Sequence, residues 1–145
     1  MTAPADPQFA ARVRDSFGRQ KAMALIGATL AHVEPGRVEI ALSYRDDITQ
    51  QKGFVHGGII GMIADTACGY AAFSLMPAGC SLVTVEYKIN ILAPAVSSLV
   101  ARGEVVKAGR TLTVARAEVY AQDRTHVATM QQTLMMLAGR PDHPE

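Results

Sequence analysis

Residues 56–76 carry a His-Gly-Gly turn, then a long run of small and apolar residues interrupted by one carboxylate, Asp65. The stretch reads as one helix, ended at Pro77-Ala78-Gly79, since proline cannot continue the hydrogen-bond ladder and glycine suits the turn. Glycines 57, 58, 61 and 69 fall inside it, at a cost of roughly 1 kcal/mol each relative to alanine in a helix interior. A helix that keeps them is expected to be approached closely by other backbone. The run approaches membrane-span length, but Asp65, the polar and glycine breaks and the lack of a flanking basic cluster favour a buried core helix.

The remainder is mostly strand-like. From Leu82 to Leu92, Val83, Val85, Tyr87, Ile89 and Ile91 alternate with Thr84, Glu86, Lys88 and Asn90, a period of two. Further strands are expected over 98–107, 111–121 and 125–137, the last presenting Ala128, Met130, Leu134 and Met136 to the helix. Upstream, Phe9, Val13 and Phe17 predict a helix over about 7–18. An apolar segment, about 22–33, leads through the turn Glu34-Pro35-Gly36-Arg37 to an alternating strand over 38–44, which predicts a hairpin. The predicted fold class is α+β: one long central helix wrapped by a curved antiparallel β-sheet. A single domain over 1–145 is expected, with its core at about 20–138 and a frayed tail over 139–145.

Composition narrows the function classes. Hydrophobic residues make up 49% and charged residues 19% of 145, the balance of a soluble globular protein. A net charge of +1 gives no electrostatic case for nucleic acid. The first residues lack a basic region followed by an apolar core, so no secretory signal is read there, no membrane partner is expected, and a cytoplasmic location follows. Cys68 and Cys80 have no His or Cys at metal-binding spacing and read as reduced packing residues. No metal and no cofactor are expected.

Asp65 stands out because its helical neighbours, Gly61, Met62, Cys68 and Gly69, include no cation. It must be solvated by a cavity, paired from elsewhere, or held neutral by desolvation. It is either a general base or nucleophile lining a cleft, or a carboxylate facing solvent or capping a neighbouring element. His56-Gly57-Gly58 opens the helix, where unpaired N–H groups point along the positive end of the dipole. This is either an oxyanion site at Gly57 or an ordinary glycine-rich helix start. Gln50 could fold its amide over the same spot. Gly57 and Asp65 are eight residues apart, or roughly 12 Å along one helix. One small electrophilic carbon cannot easily touch both, so cooperation requires two subunits with antiparallel helices across a two-fold axis.

These residues resemble the hotdog-fold acyl-CoA thioesterases, specifically the PaaI-like group named after the phenylacetate-degradation thioesterase. That group shows Asn-x-x-Gly-x-x-His-Gly-Gly, with a catalytic Asp eight residues after the first paired glycine. Gln50, Gly53, His56, Gly57, Gly58 and Asp65 stand at those spacings here. The resemblance runs from about 20 to 138 and takes in Val83-Thr84-Val85-Glu86-Tyr87, Ala93-Pro94-Ala95 and Lys107-Ala108-Gly109-Arg110-Thr111-Leu112. Gln50 departs from the usual Asn, although 4-hydroxybenzoyl-CoA thioesterases of the second hotdog type use Gln there.

The resemblance implies hydrolysis of an aromatic or medium-chain acyl-CoA to free acid and CoA, by a homodimer or a tetramer built from dimers. Gly57 N–H would polarise the thioester carbonyl. Asp65 of the partner chain would act as general base on water, or attack directly. Thr84 would help hold the water, and Gln50 and His56 would help orient the substrate. Gly58 and Val83 would line the substrate site, while Lys107, Ala108, Gly109, Arg110 and Thr111 would lie along CoA, with Lys107 and Arg110 toward its phosphates. CoA belongs to the substrate and is not a cofactor. No Gly-x-Ser-x-Gly elbow is present, which removes the α/β-hydrolase route. Alternatives from the same fold are a hydratase or dehydratase acting on acyl-CoA, and a non-catalytic acyl-CoA-binding protein.

Overall fold

The computed structural model describes residues 2–144. Two helices come first, α1 (Phe9–Gly18) and α2 (Lys21–Ile26), then strands β1 (Ala28–Glu34) and β2 (Arg37–Leu42). A 3-10 turn at Asp46–Ile48 precedes the long helix α3 (Gly57–Phe73). Strands β3 (Ser81–Ile91), β4 (Leu99–Ala108), β5 (Leu112–Ala121) and β6 (His126–Leu137) follow. All six strands form one antiparallel sheet in the order β1-β2-β4-β5-β6-β3. The sheet curves around α3, as the expected α+β hotdog architecture requires.

The core is the seam between helix and sheet. Ile60, Ile63, Ala64, Ala67 and Ala71 of α3 pack against Ile40, Leu42, Leu99, Ala101, Ala117 and Leu134, all 2% exposed or less. Each fully buried Ile or Leu contributes about 1.5–3 kcal/mol. Small residues at the sheet centre let the helix sink into the concave face. The close approach expected of the helical glycines is made instead by a strand glycine. A Cβ on Gly103 would lie 2.3 Å from the Ala67 carbonyl oxygen, whereas Gly57, Gly61 and Gly69 each have at least 3.7 Å of clearance.

Both ends of α3 are tied down. His56 Nδ1 accepts from Gly58 N–H at 2.8 Å, capping the first turn. At the far end, the Arg12 guanidinium donates to the Phe73 and Met76 carbonyls at 3.3 and 2.6 Å, and pairs with Asp6 at 2.9 Å. A cation there satisfies orphan carbonyls and complements the helix dipole.

Two features differ from expectation, and the sheet edge adds a third point. Residues 21–26 form α2 rather than the start of a strand, and Gly27 in the left-handed conformation (φ 74°) closes that helix before β1 begins. In β3 a bulge falls between Thr84 and Glu86, so the simple alternation reverses there. Leu82, Thr84, Tyr87, Ile89 and Ile91 pair with helix-facing Met136, Leu134, Gln132, Met130 and Ala128. Val83 and Val85 do not share that face. Lastly, β3 is a sheet edge, and its apolar residues stay open: Val83, Val85, Tyr87 and Ile91 are 42–53% exposed.

Candidate active site

Asp65 sits in the middle of α3, on the side turned toward β3 and β6. Its Oδ1 accepts from Thr84 Oγ1 at 2.9 Å and from Gln132 Nε2. Gln132 Nε2 also donates to Thr84 Oγ1 at 2.9 Å, closing a three-residue ring of hydrogen bonds. Gln132 has no solvent exposure, and its Oε1 is buried without a partner. The amide orientation is fixed by its neighbours: a carboxylate accepts and cannot donate, so Nε2 must face it. Among the described residues nothing engages Asp65 Oδ2, which leaves that oxygen for water or substrate.

The bulge in β3 produces this arrangement, because Thr84 reaches Asp65 by sharing the concave face with Leu82 and Tyr87. A cavity of about 180 Å³ opens beside the carboxylate, bounded by Gly69, Tyr70, Phe73, Leu82, Thr84 and Ser16 among others. Cys68 is buried nearby. Burial pushes its thiol far above the ordinary value, and the charges of Asp65 and Glu118 push it the same way. It stays protonated and unreactive.

The Gly57 half is separate. Gln50, Phe54, Gly57, Ile91, Pro94 and Ala95 line a second cavity of about 330 Å³ that Asp65 does not enter. Among the described residues no acceptor takes the Gly57 N–H, the first donor of α3. His56 turns Nδ1 onto Gly58 N–H, which places the remaining proton on Nε2. Gly58 is thereby committed to the cap. The Gln50 side-chain Oε1 accepts from Lys52 N–H, and among the described residues its NH₂ group has no partner. The expected residues therefore gather as two groups, Asp65 with Thr84 and Gln50 with Gly57.

Others lie apart. Val83 is 42% exposed, on the face of β3 opposite Thr84. Lys107, Ala108, Gly109, Arg110 and Thr111 form the end of β4 and its turn into β5, lining neither cavity. Gly109 N–H closes that turn on Leu112 O at 2.8 Å.

Gln132 escaped the sequence reading. A signal was present, since it falls between Met130 and Leu134 in the helix-facing register of β6. A buried amide in that row needs a polar partner.

The fold and the carboxylate site meet a family match. The family model of the Thioesterase superfamily matches residues 52–128, from the loop before Gly57 to Ala128 of β6. The chain belongs to the thioesterase superfamily. The structure of a thioesterase family protein from Silicibacter pomeroyi is 51% identical, with a TM-score of 0.87 over 90% of this chain and 99% of that one. The PaaI protein of the E. coli phenylacetic acid degradation operon is 19% identical, with a TM-score of 0.86 over 94% and 99%, so the PaaI-like resemblance holds as a likeness of fold. A Halobacterium salinarum protein carrying a provisional esterase name is 29% identical over 67% of this chain and 68% of its own. For this thioesterase-superfamily chain, no helix among the described residues is long and apolar enough to cross a membrane.

Proposed function

We propose that the chain is an acyl-CoA thioesterase whose active site is shared between two subunits. The observation carrying this is the Asp65 carboxylate, which lines a small cavity and is anchored through Oδ1 by Thr84 and Gln132, while nothing among the described residues engages Oδ2. Anchoring one oxygen fixes the direction in which the other can meet a water. A thioester is a reactive acyl donor, so a base, a placed water and an oxyanion donor suffice. Gly57 N–H supplies the donor, at the positive end of α3, where negative charge develops on the carbonyl oxygen. The free Gln50 NH₂ group and His56 Nε2–H stand at the same end of the helix to orient the substrate. Asp65 acts as base on water or as the nucleophile itself.

Within one protomer the two groups lie roughly 12 Å apart along α3. The open edge of β3 supplies a way to join them. Val83, Val85, Tyr87 and Ile91 form an exposed apolar edge, a surface that soluble chains ordinarily cover. Antiparallel pairing of two β3 strands about a two-fold axis would lay the α3 helices side by side. Gly57 of one chain would then face Asp65 of its partner, making two equivalent sites. Lys107 and Arg110 are exposed, without an ion pair among the described residues, and suit the phosphates of CoA. In this reading residues 1–145 act as one hotdog domain.

The test is thiol release from a panel of acyl-CoAs, with Asp65→Asn and Gly57→Val. Each variant is expected to bind substrate and lose most turnover, and mixed dimers of the two should regain activity through one intact site. An Asp65→Asn rate equal to the native one would remove the carboxylate from the mechanism. No recovery despite demonstrated subunit exchange would defeat the shared site.

A further inference from the structure

The cavity beside Asp65 is closed at its far side by a segment outside the sheet. Residues 139–144 follow β6 without regular structure and lie back against α1, while Glu145 falls outside the described residues. Ser16 Oγ donates to the Asp142 carboxylate. Arg19 pairs with the same carboxylate at 3.4 Å and donates to the Asp142 main-chain carbonyl. Behind Ser16 the chain of hydrogen bonds continues: Ser16 Oγ and Tyr70 Oη are 3.0 Å apart, and Gln20 Nε2 donates to Tyr70 Oη at 3.0 Å. Ser16 and Tyr70 are each 6% exposed, so their hydroxyls need these partners, and Asp142 is the terminal acceptor that sets the direction of the whole chain.

We propose that Asp142, latched to Ser16 and Arg19, is the outer wall of the acyl pocket and limits the length of the acyl group the site accepts. The inference rests on the thioesterase reading and adds a specificity device to it. An acyl group whose carbonyl lies at Asp65 runs along α3 past Gly69 to Tyr70, roughly 7.5 Å of helix, before it meets the latch. Within one protomer this partly open cavity measures about 180 Å³, below the ~300–1,000 Å³ typical of pockets that hold drug-sized ligands. Such a volume suits a short chain or a single ring. A longer chain must displace the segment and break the Ser16–Asp142 bond.

The test compares butyryl-CoA with decanoyl-CoA in the intact chain, in Asp142→Ala and in Arg19→Ala/Asp142→Ala. Relative to the intact chain, the decanoyl-to-butyryl ratio of kcat/KM should rise about tenfold, the scale on which pockets discriminate by chain length. Asp142→Asn still accepts from Ser16 and should keep the native ratio. A ratio unchanged in both alanine variants, at unchanged melting temperature, overturns the wall. If the intact chain releases no thiol from any acyl-CoA, the thioesterase reading fails instead. The wall is then judged by calorimetric binding of butyric and decanoic acids to the same proteins, where an unshifted preference overturns it.

Discussion

Gln132 donates its side-chain N–H to the Asp65 carboxylate from a position with no solvent exposure, across 67 residues of sequence. The contact joins the last strand to the central helix at the point where the chemistry is proposed. It makes Gln132 a positioning residue, acting through Asp65.

Replacing the amide by a hydrocarbon of similar shape tests that role. A hydrogen bond to a charged group is worth about 1.5–3 kcal/mol, so Gln132→Leu should lower kcat about 10- to 100-fold. KM should change little, because Gln132 does not touch the pocket surface. A kcat that stays at the native value would reduce Gln132 to a packing residue.

Thr84 supplies the second donor to the same oxygen. Thr84→Ser retains the hydroxyl and is expected to keep most of the activity. Thr84→Val keeps the shape, removes the donor and leaves Gln132 with one partner fewer; its kcat should drop about tenfold or more. Steady-state kinetics of the pair separates the hydroxyl from the bulk of the side chain.

Gly103 governs how deeply α3 sits in the sheet. A methyl there would lie 2.3 Å from the Ala67 carbonyl oxygen and 2.8 Å from Cys68 N, both main-chain atoms. Neither can rotate away, so Gly103→Ala should destabilise the fold by about 3 kcal/mol or more. Gly69→Ala, whose nearest neighbour would be Leu134 Cδ2 at 4.0 Å, should be neutral or stabilising. Urea midpoints of the two variants read the contrast directly.

Cys68 makes stability depend on pH in the alkaline range. Burial raises the thiol far above the ordinary value of 9.0, so the native state holds a proton that the unfolded chain releases. With the folded value above the unfolded one, the contribution is fully present below pH 9 and is lost as pH rises. The slope approaches about 1.4 kcal/mol per pH unit. Cys68→Ala should start less stable and show a shallower decline between pH 9 and 10. Denaturant unfolding at several pH values checks this, and equal slopes would contradict it.

Much of the fold was legible because its signals are local. The apolar run after His56, its stop at Pro77 and the alternation of β4, β5 and β6 are patterns of neighbouring residues. The motif from Gln50 to Asp65 was legible for the same reason, and helical rise alone separated Gly57 from Asp65. Short α2 was not, because an apolar run of this length fits a strand as well as a helix and only Gly27 in its left-handed conformation ends the helix before β1. The bulge after Thr84 left no mark in the alternation, yet it decides which β3 residues face α3.

By itself, then, the sequence determined the helix, the strands that wrap it, and the carboxylate and glycine that the chemistry would use. These follow from periodicity, turn residues and spacing, which act over a few residues. Only the tertiary structure decided what holds Asp65, since Thr84 and Gln132 reach it through strand order and a bulge. The same is true of Asp142, which meets Ser16 across 126 residues. Such contacts depend on how elements pack, and packing is set by the whole core at once rather than by any window of the chain.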